Sequence, residues 1–552
     1  MNDANPKSKT ELSSAFRLVF VFAIIIIAIN ILWNTGLVPS DMEGDGIIHS
    51  IIADNYAYDR AGNDGIFQSG TFYLNYAYLY PLWHMLTALM FKLFGSSLVV
   101  LARFVYLIGV LTVIVFYRWQ KVVFDKDISL IVTFLMCSSL WFLPAWCGTG
   151  FFVFLIFLSV SIVFAYYQLK VTGKNSYLFL CAASIAMALY NGYAHILIVF
   201  PILFLSNLWI EKGWKRLFDV KLVLIFVLSL CLYFVVLAVT CRSVYHFGMG
   251  DYYKQVSPPL SLRMSYRATH GIECIKNNLW WYVREIFYRS GSDENSGFNV
   301  YKILGYPLLS RVTGVLFLLG WVVSWVKRDV IGKILNVWLF VTVVFYALVV
   351  QPTTRYLITL LPCFYIFAGI GLGWLKEQIV KKAQKPTIFG LLLLVVLFSN
   401  FSNFRHGYKS YFKHSFNLEE QYGMSEICDF IEKDSGKNKE NIIICTYSLK
   451  GINRPIRFYS QRRLEGKTVW WGKFKQFLKK NKYKAGSEDM VYFVFPAPNV
   501  NIYGKKSEIF EFKKMFPGLD PRWIVYFHNK TECRYIYRLR TDEILLKLKP
   551  KT

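Results

Sequence analysis

The sequence predicts a polytopic α-helical membrane protein with a small α/β domain at its C-terminal end. Three observations carry that prediction. The chain is 55% hydrophobic and only 18% charged, too apolar for an ordinary soluble fold. Apolar runs of membrane-crossing length recur from Phe16 to Phe404. From Arg405 onward the pattern changes to short alternating segments and charged helices.

A hydrocarbon core of about 30 Å needs about 20 apolar residues per helix. Runs of this kind fall at 16–34, 99–117, 128–146, 149–167, 176–190, 193–210, 217–240, 308–326, 333–350, 356–375 and 386–404, eleven in all. Tyr80–Phe94 is also apolar, but it is short and carries His84 and Lys92, so we expect it to lie along the membrane surface. Lys and Arg in short loops mark the cytoplasmic side. Arg118, Lys121 and Lys126, Lys170 and Lys174, Lys212, Lys215 and Arg216, and Lys376, Lys381, Lys382 and Lys385 all fall on one side of an eleven-span arrangement. The turns Cys147–Gly148 and Asn191–His195 carry no Lys or Arg, and Gln351–Arg355 carries one. Residues 1–404 thus form a transmembrane module with external loops 35–98 and 241–307, and residues 405–552 an external domain. The N-terminal run lacks a small-residue cleavage site and reads as an anchor. Ten cysteines are scattered without metal-site spacing, and an oxidising compartment allows Cys241–Cys274 and Cys445–Cys533 disulfides. The localisation this implies is multi-pass in the bacterial cytoplasmic (inner) membrane.

In the C-terminal region, strands are expected at 441–446, 454–459, 490–495, 523–528 and 533–539, and helices at 419–433 and 507–516. This region has 30 Lys and Arg against 16 Asp and Glu, about half of the chain's +27. Such charge beside a bilayer suits anionic lipid headgroups or polyanionic glycans, with a solvated basic surface as the plain alternative. No nucleic-acid motif is present.

Acids gather against this trend just after the first span, where six carboxylates and one base lie between Asp41 and Asp64. A carboxylate at a helix mouth can deprotonate an acceptor hydroxyl or hold a divalent cation against a phosphate; a polar exit turn is the alternative. Asp45 and Glu43 are the candidates for both roles. Arg355 sits at the outer end of a span, where a guanidinium can grip a phosphate bidentately or snorkel to headgroups. His195, in an external turn, suits a substrate contact or a structural role. Trp281, in Trp280-Trp281-Tyr282, suits sugar stacking or interfacial anchoring.

The acidic motif, the segment PLWHMLTALMFKLFG (81–95) and the following ARFVYLIGVLTVIVFYRW (102–119) resemble the GT-C superfamily of membrane glycosyltransferases, including protein O-mannosyltransferases and lipid A aminoarabinose transferases. RYLITLLPCFYIFAGIGLGWL (355–375), opening on Arg355-Tyr356, is similar to a late helix of that superfamily, and EICDFIEKDSGKNKENIIICT (426–446) to the entry into its external domain. The family's Asp-Glu pair falls on Asp45-Gly46, with Glu43 ahead of it and His49 four positions on; its Lys-Pro-Pro is Leu79-Tyr80-Pro81 here. The resemblance implies transfer of a sugar, with inversion, from a polyprenyl-phosphate donor to an external lipid, glycan or protein acceptor. It gives Asp45 the catalytic role, Glu43 an auxiliary or metal-binding one, and places Arg355, Tyr356, His195, His49 and Trp281 at the substrates. The rival readings are a cell-envelope polysaccharide polymerase or ligase, favoured by loop 241–307, a transporter or flippase, and a non-enzymatic scaffold.

Overall fold

A computed structural model of the chain describes residues 14–34, 45–58, 80–139, 142–147, 151–191, 199–211, 219–242, 273–287, 309–349, 354–414, 424–435, 442–446, 467–471, 474, 476, 490–497, 506–526 and 532–548. Contacts divide it into two compact units, one of Met1–Leu37 with Ile52–Phe412 and one of Val38–Ile51 with Lys413–Thr552.

The larger unit is helical. Each predicted span has a helix in its place: α1 (Ser14–Asn34), α4 (Leu98–Val123), α5 (Lys126–Cys137) with α6 (Phe142–Cys147), α7 (Phe152–Thr172), α8 (Asn175–Tyr190), α9 (Val199–Glu211), α10 (Val220–Thr240), α12 (Arg311–Lys327), α13 (Val330–Val349), α14 (Leu361–Lys376) and α15 (Pro386–His414). Helices α2 (Asp45–Tyr58), α3 (Pro81–Phe94) and α11 (Glu273–Phe287) lie in the predicted loops. Six helices among the described residues are long and apolar enough to cross a membrane by length and composition, and three shorter ones are apolar. The chain is an integral membrane protein of the polytopic helical class.

Two spans depart from the sequence reading. The run 128–146 is not one helix: α5 ends at Cys137, and Ser139 Oγ accepts from the Phe142 amide at 2.9 Å as a cap where α6 starts. The run 356–375 opens with a 3-10 helix, Thr354–Leu360, before α14, and a π-helical turn, Glu377–Lys382, follows it. Cys241 is a buried free thiol, so the Cys241–Cys274 disulfide is not formed. The Cys445–Cys533 pair falls on Cys533, whose side chain lies outside the described residues.

With little hydrophobic force between helices in lipid, small residues and buried polar pairs set the packing. Helices α12 and α14 meet through Gly320 and Gly371, where an added Cβ would strike the partner's backbone. Thr313 Oγ1 donates to Asn400 Oδ1 at 2.9 Å, joining α12 to α15, and Asn336 Nδ2 donates to Ser324 Oγ at 2.8 Å, joining α13 to α12. At one end, Asp127 accepts from Arg17 Nε at 2.7 Å and from Lys376 Nζ at 3.3 Å, with Lys376 also 2.9 Å from Asp125. Three helix ends are thereby tied through one carboxylate that is 3% exposed.

The smaller unit holds a five-stranded sheet in the order β2-β1-β3-β5-β4, from β1 (Ile442–Thr446), β2 (Lys467–Trp470), β3 (Met490–Pro496), β4 (Trp523–Tyr526) and β5 (Glu532–Arg540). Strands β2, β1 and β3 run parallel, while β5 pairs antiparallel with β3 and β4. Helices α16 (Met424–Ser435), α17 (Lys506–Met515) and α18 (Thr541–Leu548) accompany it. The apolar faces of α16 and α17, through Ile427, Ile431, Phe512 and Phe516, join the strands in one core. At its edge Asp434 accepts from Tyr492 Oη and Arg538 Nη1, each at 3.0 Å. The strand expected at 454–459 lies outside the described residues; β2 and α18 were not predicted.

Candidate functional site

The first loop is built around two helices. Ile47, Ile48, Ile51 and Ile52 recur at helical spacing after Asp45, and α2 forms there with His49, Ser50, Asp54 and Asn55 all buried. Helix α3 starts on Pro81, whose missing N–H costs nothing at that position, and buries Pro81, Trp83, His84, Thr87 and Phe91 while exposing Leu89, Leu93 and Phe94. That division is the amphipathic one expected of a helix lying on a membrane.

Several contacts fix these helices on the bundle. Tyr58 Oη donates to the Phe91 carbonyl at 3.1 Å, joining the end of α2 to α3, and Ser96 Oγ donates to Asp54 Oδ1. The amide of Trp83 donates to Asn191 Oδ1 at 3.2 Å, just past the end of α8, and the Trp83 ring stacks on Phe104. Tyr80 stacks on Phe151 at 4.2 Å, where α7 begins. The rings of Tyr56 and Tyr80 stand edge-on to His84 at 6.1 and 6.4 Å. Thus α3 sits at the end of the bundle where α7 starts and α8 finishes. The 3-10 helix Thr354–Leu360 leads into α14, which finishes at Lys376 beside Asp125 at the opposite end. Its start therefore lies at the same end as α3, held by buried Leu357, Ile358 and Leu360.

Asp45 is the first residue of α2, while its side chain lies outside the described residues, as does all of Glu43. His49 is buried one turn further on. Arg355 and Tyr356 occupy the 3-10 helix, with side chains outside the described residues, and His195 falls within 192–198, outside the described residues altogether. Trp281 is half-buried on α11, edge-on to Tyr282 at 5.4 Å. Within the helical unit, the Ile52–Tyr58 part of α2, α3, Asn191 and the backbone of residues 354–356 thus come to one end. The divalent cation expected at Asp45 and Glu43 would rest on two side chains outside the described residues; among the described residues no three His, Cys, Asp or Glu converge as a metal site.

Sequence reasoning missed the buried polar character of α2 and α3. Asn55 is fully buried with no hydrogen bond to either atom of its amide, and Thr87 Oγ1 and Trp83 Nε1 are likewise unpartnered among the described residues. Polar groups in this state are either waterlogged or waiting for a ligand. The available signal was the interruption of two apolar runs by Asp54-Asn55 and by His84 and Thr87.

No protein-family model matches the chain, and no curated protein matches its sequence. Solved structures match its fold. ArnT from Cupriavidus metallidurans bound to undecaprenyl phosphate superposes with a TM-score of 0.60 at 12% identity, over 96% of this chain and 98% of ArnT. The oligosaccharyltransferase AglB from Archaeoglobus fulgidus, in complex with an inhibitory peptide and a dolichol-phosphate, superposes with a TM-score of 0.52 at 12% identity, over 88% of this chain and 69% of that one.

Proposed function

We propose that this chain, a polytopic membrane protein with the GT-C fold, moves a sugar from a polyprenyl-phosphate donor onto a lipid, glycan or protein acceptor. The observation that carries the reading is the likeness to ArnT along nearly the whole of both chains, since that neighbour was solved with undecaprenyl phosphate bound. The archaeal neighbour with dolichol-phosphate points to the same donor class. The reaction takes place at the bundle end that gathers α2, α3 and Thr354–Leu360, which is the external side if the basic loops are cytoplasmic. We place the protein in a bacterial cytoplasmic membrane, with residues 405–552 as an external domain.

In this mechanism Asp45 takes the proton from the acceptor hydroxyl as its oxygen attacks the anomeric carbon. The bond from that carbon to the donor phosphate oxygen breaks, and polyprenyl phosphate leaves with the electron pair. Arg355, with Tyr356 beside it, holds the phosphate as its charge grows; the guanidinium fork suits two phosphate oxygens. Direct displacement inverts the anomeric centre. Glu43 supports Asp45, and His49, His195 and Trp281 contact the substrates. A cation held by Asp45 and Glu43 would supply Lewis-acid neutralisation of the phosphate; the proton transfer and the guanidinium clamp are the work of the chain itself.

Asp45→Asn tests the reading, because it keeps size and hydrogen bonding but removes basicity. Transfer of radiolabelled sugar from its polyprenyl phosphate by purified protein should fall by about 10²–10⁴, with the elution profile and thermal midpoint unchanged. Retention of more than about a tenth of wild-type turnover would move the base to Glu43. Wild-type protein inactive with every polyprenyl-phosphate sugar tried would sink the donor class itself.

A further inference from the structure

At the opposite end of the bundle from Asn191 and Thr354, a cavity of about 480 Å³ opens between the end of α7, the end of α9 and the start of α10. Its centre is Lys170, whose side chain is only 9% exposed and whose Nζ lies 2.9 Å from Asp219 Oδ2 and 3.3 Å from Glu211 Oε1. A cation so far removed from water is tolerated only with partners of this kind. Asp219 also caps α10, accepting from the Lys221 amide at 3.1 Å, and it keeps 28% of its side chain exposed.

The second cation is held differently. Lys221 Nζ donates to the Gly173 carbonyl at 2.8 Å, and among the described residues no carboxylate lies within salt-bridge distance of it. The cavity therefore carries a positive group whose hydrogen-bond partner is a neutral carbonyl and which feels Asp219 only at longer range, beside the positive end of α10. Separately it carries a partly exposed carboxylate. Tyr166, Leu169, Val220, Leu222 and Ile225 make the rest of its wall apolar. From there α10 continues with Val223, Leu224 and Val227 exposed, and it is the span least buried inside the protein.

A wall that is half apolar, continuous with a lipid-facing helix and bearing separated charges of both signs matches one kind of molecule. We propose that this cavity binds a membrane phospholipid whose headgroup carries both a phosphate and a primary ammonium. The phosphate meets Lys221 and the start of α10, the ammonium donates to Asp219, and the acyl chains lie along the exposed face of α10. An anionic headgroup would bring a net negative charge beside Asp219 and Glu211, two carboxylates that already share the single cation Lys170. A choline headgroup has no N–H to donate. The site is remote from the proposed transfer chemistry and stands or falls independently of it.

The test uses full-length protein stripped of lipid in detergent, then offered phosphatidylethanolamine, phosphatidylcholine or phosphatidylglycerol, with bound lipid counted by native mass spectrometry. One phosphatidylethanolamine should be retained about tenfold more tightly than either of the others, a difference of about 1.4 kcal/mol. Lys221→Gln should abolish that retention. Asp219→Asn, which preserves a helix cap and leaves Glu211 to Lys170, should remove the preference over phosphatidylcholine while phosphatidylethanolamine is still retained. Equal retention of the three lipids, or undiminished phosphatidylethanolamine on Lys221→Gln, overturns the proposal. So does displacement by glycerophosphoethanolamine without acyl chains at equal concentration, which would make the ligand a soluble headgroup.

Discussion

Gly320→Ala should loosen the helical unit more than its single methyl group suggests. A Cβ on Gly320 would stand 2.6 Å from the Phe367 carbonyl carbon and 2.8 Å from the Gly371 amide nitrogen, and closer still to the Phe367 oxygen; ordinary contact needs 3.4–4 Å. The obstacles are backbone atoms, which no rotamer change can move, so α12 and α14 must part by roughly 1 Å. A gap of that size forfeits about a quarter to a half of the dispersion energy of every facing atom pair. Overpacking of this kind costs about 1–3 kcal/mol, and a rigid seam between two long helices belongs at the upper end. Smaller domains lose about 2–4 °C per kcal/mol. Scaled to the larger unit, the variant should lose roughly 3–6 °C of thermal midpoint in detergent. Gly373→Ala is the internal control: it lies on α14, the partner helix of the same seam, has nothing within 4 Å, and should gain slightly from the better helix propensity of alanine. Two variants melting together, or Gly320→Ala melting at the wild-type temperature, would refute the close approach.

Further outcomes follow from other parts of the molecule. Arg355→Ala should raise the apparent KM for the donor more than for the acceptor, and Arg355→Lys should restore only part of it, because an ammonium keeps the charge but not the fork; an unchanged donor KM in the alanine variant would leave Arg355 as a headgroup anchor. An impermeant maleimide applied to spheroplasts should label Ser69→Cys and Ser487→Cys but not Lys174→Cys, and equal labelling of all three would end the proposed topology. Tyr492 is fully buried, and burial, followed by the Asp434 carboxylate, pushes its phenol well above the usual tyrosine range. Its unfolded counterpart ionises near pH 10, so the stabilisation is complete below about pH 10 and drains away as the pH rises beyond it. The resistance of the C-terminal unit to chemical unfolding should fall steadily as the pH rises above about 10, and Tyr492→Phe should flatten that slope.

Hydropathy and loop charge made the helices legible because both are local averages that single residues do not upset. The breaks were not legible. Ser139 caps α6 because its hydroxyl meets one particular backbone amide, a choice that an average over apolar residues cannot register. Helix α2 was hidden for a related reason, since a cluster of acids reads as loop while the isoleucines between them supply a face. In the C-terminal unit the central strands β1 and β3 are continuous apolar runs and were found. β2 is four residues long, Lys467–Trp470, and its pairing with β1 is set by chain topology. For the candidate site, the sequence offered Asp45 through the acid cluster and Arg355 through its place at a span end, and the resemblance joined them. That the backbone of Arg355 lies at the same bundle end as α3 and Asn191 required the hydrogen bond from Trp83 and the far-end anchoring of Lys376.

The carboxylate of Asp127 also sets a timetable. Arg17 precedes it in the chain, whereas Lys376 follows it by 249 residues. At a synthesis rate of about 5–20 residues per second, Lys376 leaves the ribosome roughly 10–50 s after Asp127. During that interval the pair with Arg17 can already hold the first helix to α5, so the nascent bundle has a fixed corner before its later helices exist. Lys376 then arrives at a charge that is already neutralised, and its own contribution is to fasten the last-made half of the bundle to the first.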